Sequence, residues 1–153
     1  MKDQILRGVY LFKELTAGEM DLILSIAKEK KFKKDEVVFN EGEPGDAFFI
    51  IVSGSVRIST IVPGVGEEAL AVLKAGEYFG EMALIDDAPR SASAIANENS
   101  LLIYITKEDF LRLISKNNTI GYKLLWIFTR TLTDRLRKTD EQLKAIFAIA
   151  KNF

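Results

Sequence analysis

The spacing of apolar residues changes period twice along the chain. From Val9 to Lys34 it is helical. Thr16-Ala-Gly-Glu19 has the form of a capping box, in which the Thr hydroxyl and the Glu carboxylate each serve the other's backbone amide, and Leu22, Ile23, Ile26 and Ala27 then fall on one face. From Glu36 the period becomes two. Val37–Phe39, Ala47–Val52, Ser55–Ile61, Ala69–Leu73, Ser93–Ala96 and Leu101–Ile105 are short β-prone runs, punctuated by Gly42, Pro44-Gly45, Ser53-Gly54 and Pro63-Gly64. Val56-Arg-Ile-Ser alternates like a strand with one wet face, whereas Phe48-Phe-Ile-Ile-Val52 is apolar throughout and reads as covered on both sides. The helical period returns at Thr106-Lys-Glu-Asp109, a second capping-box-like start followed by Phe110, Leu111 and Ile114.

After a break at Asn117-Asn118-Thr119, no proline interrupts residues 121–151. Leu125, Phe128, Leu132, Leu136, Thr139, Leu143, Ile146 and Ala150 recur there at alternating three and four, the spacing of a coiled-coil seam. The pattern predicts an α+β fold: helices over 1–35, a jelly-roll-like antiparallel β-roll over 36–105, and helices over 106–153 that end in a long C-terminal dimerisation helix. That helix is expected to pair in parallel with a second copy through 121–150, making a homodimer, rather than to fold back wholly onto the roll.

Composition narrows the chemistry. At 153 residues, nearly half of them apolar, the chain fits one domain with a substantial core. Its formal charge of −1 gives no global attraction to nucleic acid or anionic lipid. The basic run Lys28-Glu-Lys-Lys-Phe-Lys-Lys34 is read as a solvated helix end whose lysines complement the dipole, not as a nucleic-acid or membrane patch. The chain has neither Cys nor His, which removes disulfides, thiol redox sensing, ordinary zinc sites and Ser-His or Cys-His catalysis. Asp86-Asp87 reads as a solvated loop, since adjacent turn residues point different ways and no third metal ligand is within reach; no metal and no catalytic residue is expected. No membrane-length apolar stretch or signal-like N-terminus occurs, so a soluble, cytoplasmic protein is expected.

The chemistry concentrates in Phe79-Gly-Glu-Met-Ala-Leu-Ile-Asp-Asp-Ala-Pro-Arg-Ser-Ala-Ser-Ala-Ile-Ala96. Gly80 permits a sharp turn, and the good helix formers after it predict a short helix whose unpaired amides attract an anion. Glu81 beside such a site suits a neutral hydroxyl, such as a sugar's. Arg90 returns after a proline-led turn with a planar fork of donors able to hold two phosphate oxygens, and Ser91 adds a hydroxyl and an amide. The alternative for these residues is a surface turn in which Glu81 and Arg90 form an exposed ion pair of little consequence.

This segment resembles the phosphate-binding cassette of cyclic-nucleotide-binding domains, Phe-Gly-Glu-(Leu/Met/Ile)-(Ala/Gly)-Leu, a short loop, then Pro-Arg-(Ala/Ser/Thr)-Ala, and every position is filled. Glu41-Gly-Glu-Pro-Gly-Asp46 with Phe48 to Val56 is similar to the family's early strand-turn-strand. The resemblance implies a β-roll that binds cAMP, or cGMP, without catalysis and signals through its C-terminal helix. Residue by residue it implies Glu81 on the ribose 2′-hydroxyl, Arg90 on the cyclic phosphate and Ser91 on a phosphate oxygen. It also implies that Gly80, Met82, Ala83, Ala92 and Leu73 line the same pocket. By resemblance to the catabolite-activator type, Thr139 and Asp140 on the long helix reach the base. No helix-turn-helix pattern follows that helix up to Phe153, so DNA binding is not expected. The readings kept beside this one are a ligand-independent dimerisation scaffold and the sensor fragment of a longer transcription regulator or channel.

Overall fold

A computed structural model describes residues 2–152. The chain opens with α1 (Lys2–Gly8), a 3-10 turn (Tyr10–Phe12) and α2 (Ala17–Ile26). Eight strands follow: β1 (Lys28–Phe32), β2 (Val37–Phe39), β3 (Ala47–Ser53), β4 (Ser55–Val62), β5 (Gly66–Lys74), β6 (Tyr78–Phe79), β7 (Ser93–Ala96) and β8 (Ser100–Thr106). A second 3-10 turn, Glu81–Leu84, sits between β6 and β7. Helices α3 (Lys107–Lys116) and α4 (Asn118–Lys151) complete the order. The strands form two four-stranded sheets, β1-β8-β3-β6 and β2-β7-β4-β5, with every pairing antiparallel, and this is the expected roll.

Strand β3 explains why its sequence is apolar at every position. Phe48 and Ile50 point into a core shared with the helices, among Leu6, Ile23, Phe110, Leu124 and Phe128. Phe49 and Ile51 point the other way, into a second core between the sheets with Phe32, Val56, Phe79 and Leu102. Phe128 meets Phe48 and Tyr78 edge-on at centroid distances of 6.2 and 6.0 Å. Such pairs contribute about 0.5–1.5 kcal/mol each beyond area burial, and they add to the burial of Ile120, Leu124 and Ile127 of α4 in the same core.

The capping box at Thr16 forms as predicted, Glu19 N–H donating to Thr16 Oγ1 and Thr16 N–H to Glu19 Oε1. The basic run departs from expectation. Helix α2 ends at Ile26, and Lys28–Phe32 is an edge strand paired with β8, its four polar side chains exposed and only Phe32 buried. Main-chain pairing with β8 overrides the run's helical spacing, and the lysines instead protect a sheet edge from further pairing.

Helix α4 is about 50 Å long by the standard rise of its 34 residues. Its first three turns bury Ile120, Leu124, Ile127 and Phe128 in the domain. Phe128 therefore belongs to the core and not to a seam. Beyond it Leu136, Leu143, Ile146 and Phe147 are exposed, so the helix does not fold back onto the roll.

Gly54, between β3 and β4, has φ +87, and a Cβ there would collide with Ser100 Oγ and lie 2.6 Å from the Asn99 carbonyl. Gly64 at the β4–β5 turn has φ +80 but open space around it. Gly54→Ala is expected to cost about 2–4 kcal/mol and to lower the thermal midpoint by several degrees, against about 1 kcal/mol for Gly64→Ala. Thermal denaturation of both variants checks this; equal losses would show that backbone strain alone, without the collision, sets the cost.

Candidate functional site

Gly80 ends β6 in the left-handed region, at φ +79, and turns the chain into the Glu81–Leu84 turn. Only glycine takes that conformation without strain, and a Cβ would also lie 2.9 Å from Arg90 Nη1. Gly45 serves the same approach from the other side, since a Cβ there would collide with the Ala83 side chain. Two glycines thus let the β2–β3 connection, the turn after β6 and the Arg90 side chain meet.

Arg90 is 7 % exposed, with its Cζ 4.0 Å from the centre of the Phe39 ring. Nη1 donates to the Gly80 carbonyl at 3.1 Å and Nη2 to the Ala47 carbonyl at 2.7 Å. Both acceptors are neutral. The nearest carboxylate, Asp46, stands 3.8 Å from Nη2 and is itself 91 % exposed, where solvent screens it. Nε is buried with no hydrogen-bond partner. Burial pushes the Arg90 pKa down, partly offset by Asp46 and Glu43, and a guanidinium so placed is still a cation at neutral pH. A buried cation held in place by carbonyls, with a donor to spare, is arranged to receive an anion.

Glu81 is buried to 1 % exposure. Its partner is not Arg90 but Arg135 on α4, whose Nη1 donates to Glu81 Oε1 at 2.6 Å. The exposed Glu81–Arg90 ion pair of the alternative reading does not form. Just upstream, the buried Tyr78 and Thr131 share a hydrogen bond of 2.7 Å, and burial raises the Tyr78 pKa. Thr129, Thr133 and Thr139 turn their hydroxyls back to their own helix carbonyls, the usual fate of a mid-helix threonine. Thr131 does not, and it is the one that faces β6.

These groups surround a cavity of about 340 Å³, within the range of about 300–1,000 Å³ usual for small-molecule sites. Arg90, Arg135, Glu81 and Asp86 are its charged lining residues, while Phe39, Ile58, Leu73 and Ala71 supply an apolar wall from β2, β4 and β5. Leu73, Gly80, Glu81, Met82, Ala83, Arg90, Ser91 and Ala92 of the sequence-derived set all line it. Thr139 and Asp140 do not. They lie exposed on α4 about 6 Å beyond Arg135, where the helix has left the domain. Arg135 lines the cavity in their place, and the heptad pattern gave no signal for it because it falls between seam positions. Among the described residues no group of three or more His, Cys, Asp or Glu side chains is placed to hold a metal ion, and no helix is long and apolar enough to cross a membrane.

Comparison with known proteins bears on what such a site holds. The family described as the cyclic nucleotide-binding domain matches residues 29–117, more than half of the chain. The chain is 36 % identical over 148 residues to the cyclic AMP receptor protein of Thermus thermophilus, covering 96 % of this chain and 67 % of that protein. It is 33 % identical over 143 residues to human cGMP-dependent protein kinase 2, covering 92 % of this chain and only 18 % of the kinase. The crystal structure of a cyclic nucleotide-binding domain from Methylobacillus flagellatus superimposes with a TM-score of 0.79 at 27 % identity, over 91 % of this chain and 78 % of that one. The expected roll, the filled cassette and these matches agree: the chain belongs to the cyclic nucleotide-binding domain family.

Proposed function

We propose that this protein is a non-catalytic receptor for a cyclic nucleotide, cAMP in preference to cGMP, and that α4 transmits occupancy. The observation that carries the proposal is the buried Arg90 guanidinium, compensated by no buried carboxylate and with its Nε unpartnered. A cyclic phosphate supplies both the charge and the acceptor oxygens that this group lacks. Glu81 keeps one carboxylate oxygen outside its bond to Arg135, suited to a ribose hydroxyl. The apolar wall of Phe39, Ile58 and Leu73 suits a purine ring. The preference for cAMP rests on the relative of whose own length this chain covers 67 %, named as a cyclic AMP receptor, against 18 % of the cGMP-dependent kinase. Ser91 serves a phosphate oxygen in this reading.

The signal follows from shared partners. A ligand hydroxyl on Glu81 acts on the same carboxylate as Arg135, so the bound and free states differ in how tightly α4 is tied to the cassette. The exposed stripe of Leu136, Leu143 and Ile146 is proposed as the face of a parallel homodimer. Thr139 and Asp140 lie near that stripe, exposed and outside this protomer's own cavity. The same stripe favours the second reading, a scaffold that dimerises without a ligand. The chain spans about two thirds of the Thermus receptor and under a fifth of the human kinase, so a further effector segment in the whole protein is compatible with either reading.

Calorimetric titration with cAMP and cGMP is expected to give micromolar or tighter binding to at least one. Arg90→Ala is expected to weaken it at least tenfold, about 1.4 kcal/mol. In excess nucleotide the wild-type melting temperature should rise and that of Arg90→Glu should not, whereas a scaffold shows no rise for either. For the dimer, Leu136→Glu with Leu143→Glu should turn a sedimenting dimer into a monomer of unchanged β content; a dimer that persists would remove the stripe from the interface.

A further inference from the structure

The lysine that opens α3 touches both walls of the anion site without lining the cavity. The Lys107 main-chain N–H donates to the Asp46 carbonyl at 2.7 Å, and the next carbonyl along, that of Ala47, accepts from Arg90 Nη2. The Lys107 ammonium crosses to the cassette loop, donating to the Asp86 carbonyl at 3.0 Å and to Asp87 Oδ1 at 2.8 Å. That hydrogen bond from Lys107 holds the Asp87 carboxyl below its ordinary range, although the carboxylate is otherwise open to water. Asp86 Oδ1 accepts from Ala88 N–H at 3.0 Å and so shapes the turn that delivers Pro89 and Arg90.

The loop has a second support at its far end. Arg90 N–H donates to the Glu43 carbonyl and Gly42 N–H to the Arg90 carbonyl, both at 2.8 Å. Residues 86–89 are therefore held at one end by the β2–β3 connection and at the other by Lys107. We propose that Lys107 is a positioning residue for the ligand site, strapping the cassette loop at Asp86 and Asp87 to the start of β3 and so fixing where the Arg90 guanidinium stands. An exposed ion pair alone contributes little, and the Asp87 contact by itself would not carry this role. The strap derives from three bonds made by one residue: its main-chain N–H to the Asp46 carbonyl, and its ammonium to the Asp86 carbonyl and to the Asp87 carboxylate.

The identity of the ligand in this inference rests on the cyclic-nucleotide reading; the strap itself does not, and the test separates them. Lys107→Met keeps the length of the stem and removes its three donors. In the ligand-free protein, amide hydrogen exchange over residues 84–92 is expected to quicken several-fold while β4 and β5 are unchanged. Affinity for the bound nucleotide is expected to fall about fivefold, mostly through a faster off-rate, with the ligand-free melting temperature within about 2 °C of wild type. Lys107→Arg should restore both exchange and affinity, and Asp87→Asn should add nothing in the Lys107→Met background. Wild-type exchange in Lys107→Met overturns the strap, and quicker exchange with undiminished affinity overturns its positioning role. Should the wild-type protein bind neither cAMP nor cGMP, the receptor reading fails and exchange over 84–92 alone decides the strap.

Discussion

A single buried cation organises the site. Arg90 is taken out of water without a buried carboxylate to answer its charge, and the structure tolerates it because two carbonyls and an aromatic face hold the guanidinium. Hydrogen bonds to charged groups contribute roughly 1.5–3 kcal/mol, enough to fix the fork's orientation but not to replace its lost hydration in full. The remainder is available to an anion. Several other local features serve this placement. Gly80 and Gly45 lack the side chains that would push the fork or the cassette aside, and β3 begins where its first carbonyl can receive Nη2.

The long helix lives in two environments. Up to Phe128 it is a core helix, packed by aromatic edges onto β3 and tied by Lys123 to Glu19 of α2 at 2.6 Å. Thr131 and Arg135, one turn apart, then reach the segment that immediately precedes and follows Gly80. Beyond Arg135 every described residue of the helix is exposed. The polar links to β6 and the cassette therefore sit where the packing of α4 against the domain ends, at the base of its exposed half.

Much of this was legible along the chain. The change of period at Glu36 and its return at Thr106 located the roll, because strands with one buried face must alternate and helices must repeat every three or four residues. Phe48 to Val52 revealed a strand covered on both faces for the same reason. The cassette was legible because a close backbone approach requires glycine, as at Gly80, and because Arg90 stands at a fixed spacing from it. Lys28–Phe32 misled because five residues at a helix end carry too little pattern to register a main-chain partner seventy positions away.

The sequence by itself determined the fold class, the cassette and the cassette residues that line the cavity, since each is set by local geometry or by residue chemistry at fixed spacing. Only the tertiary structure decided who pairs with whom. Arg90 is held by carbonyls and not by Glu81, Glu81 is held by Arg135 from 54 positions on, Lys107 joins two loops, and Thr139 and Asp140 stand outside the protomer's own cavity. The physical reason is that a partner's identity depends on which atoms meet once the roll closes, and hydrogen bonding at 3 Å leaves no trace in the order of the residues.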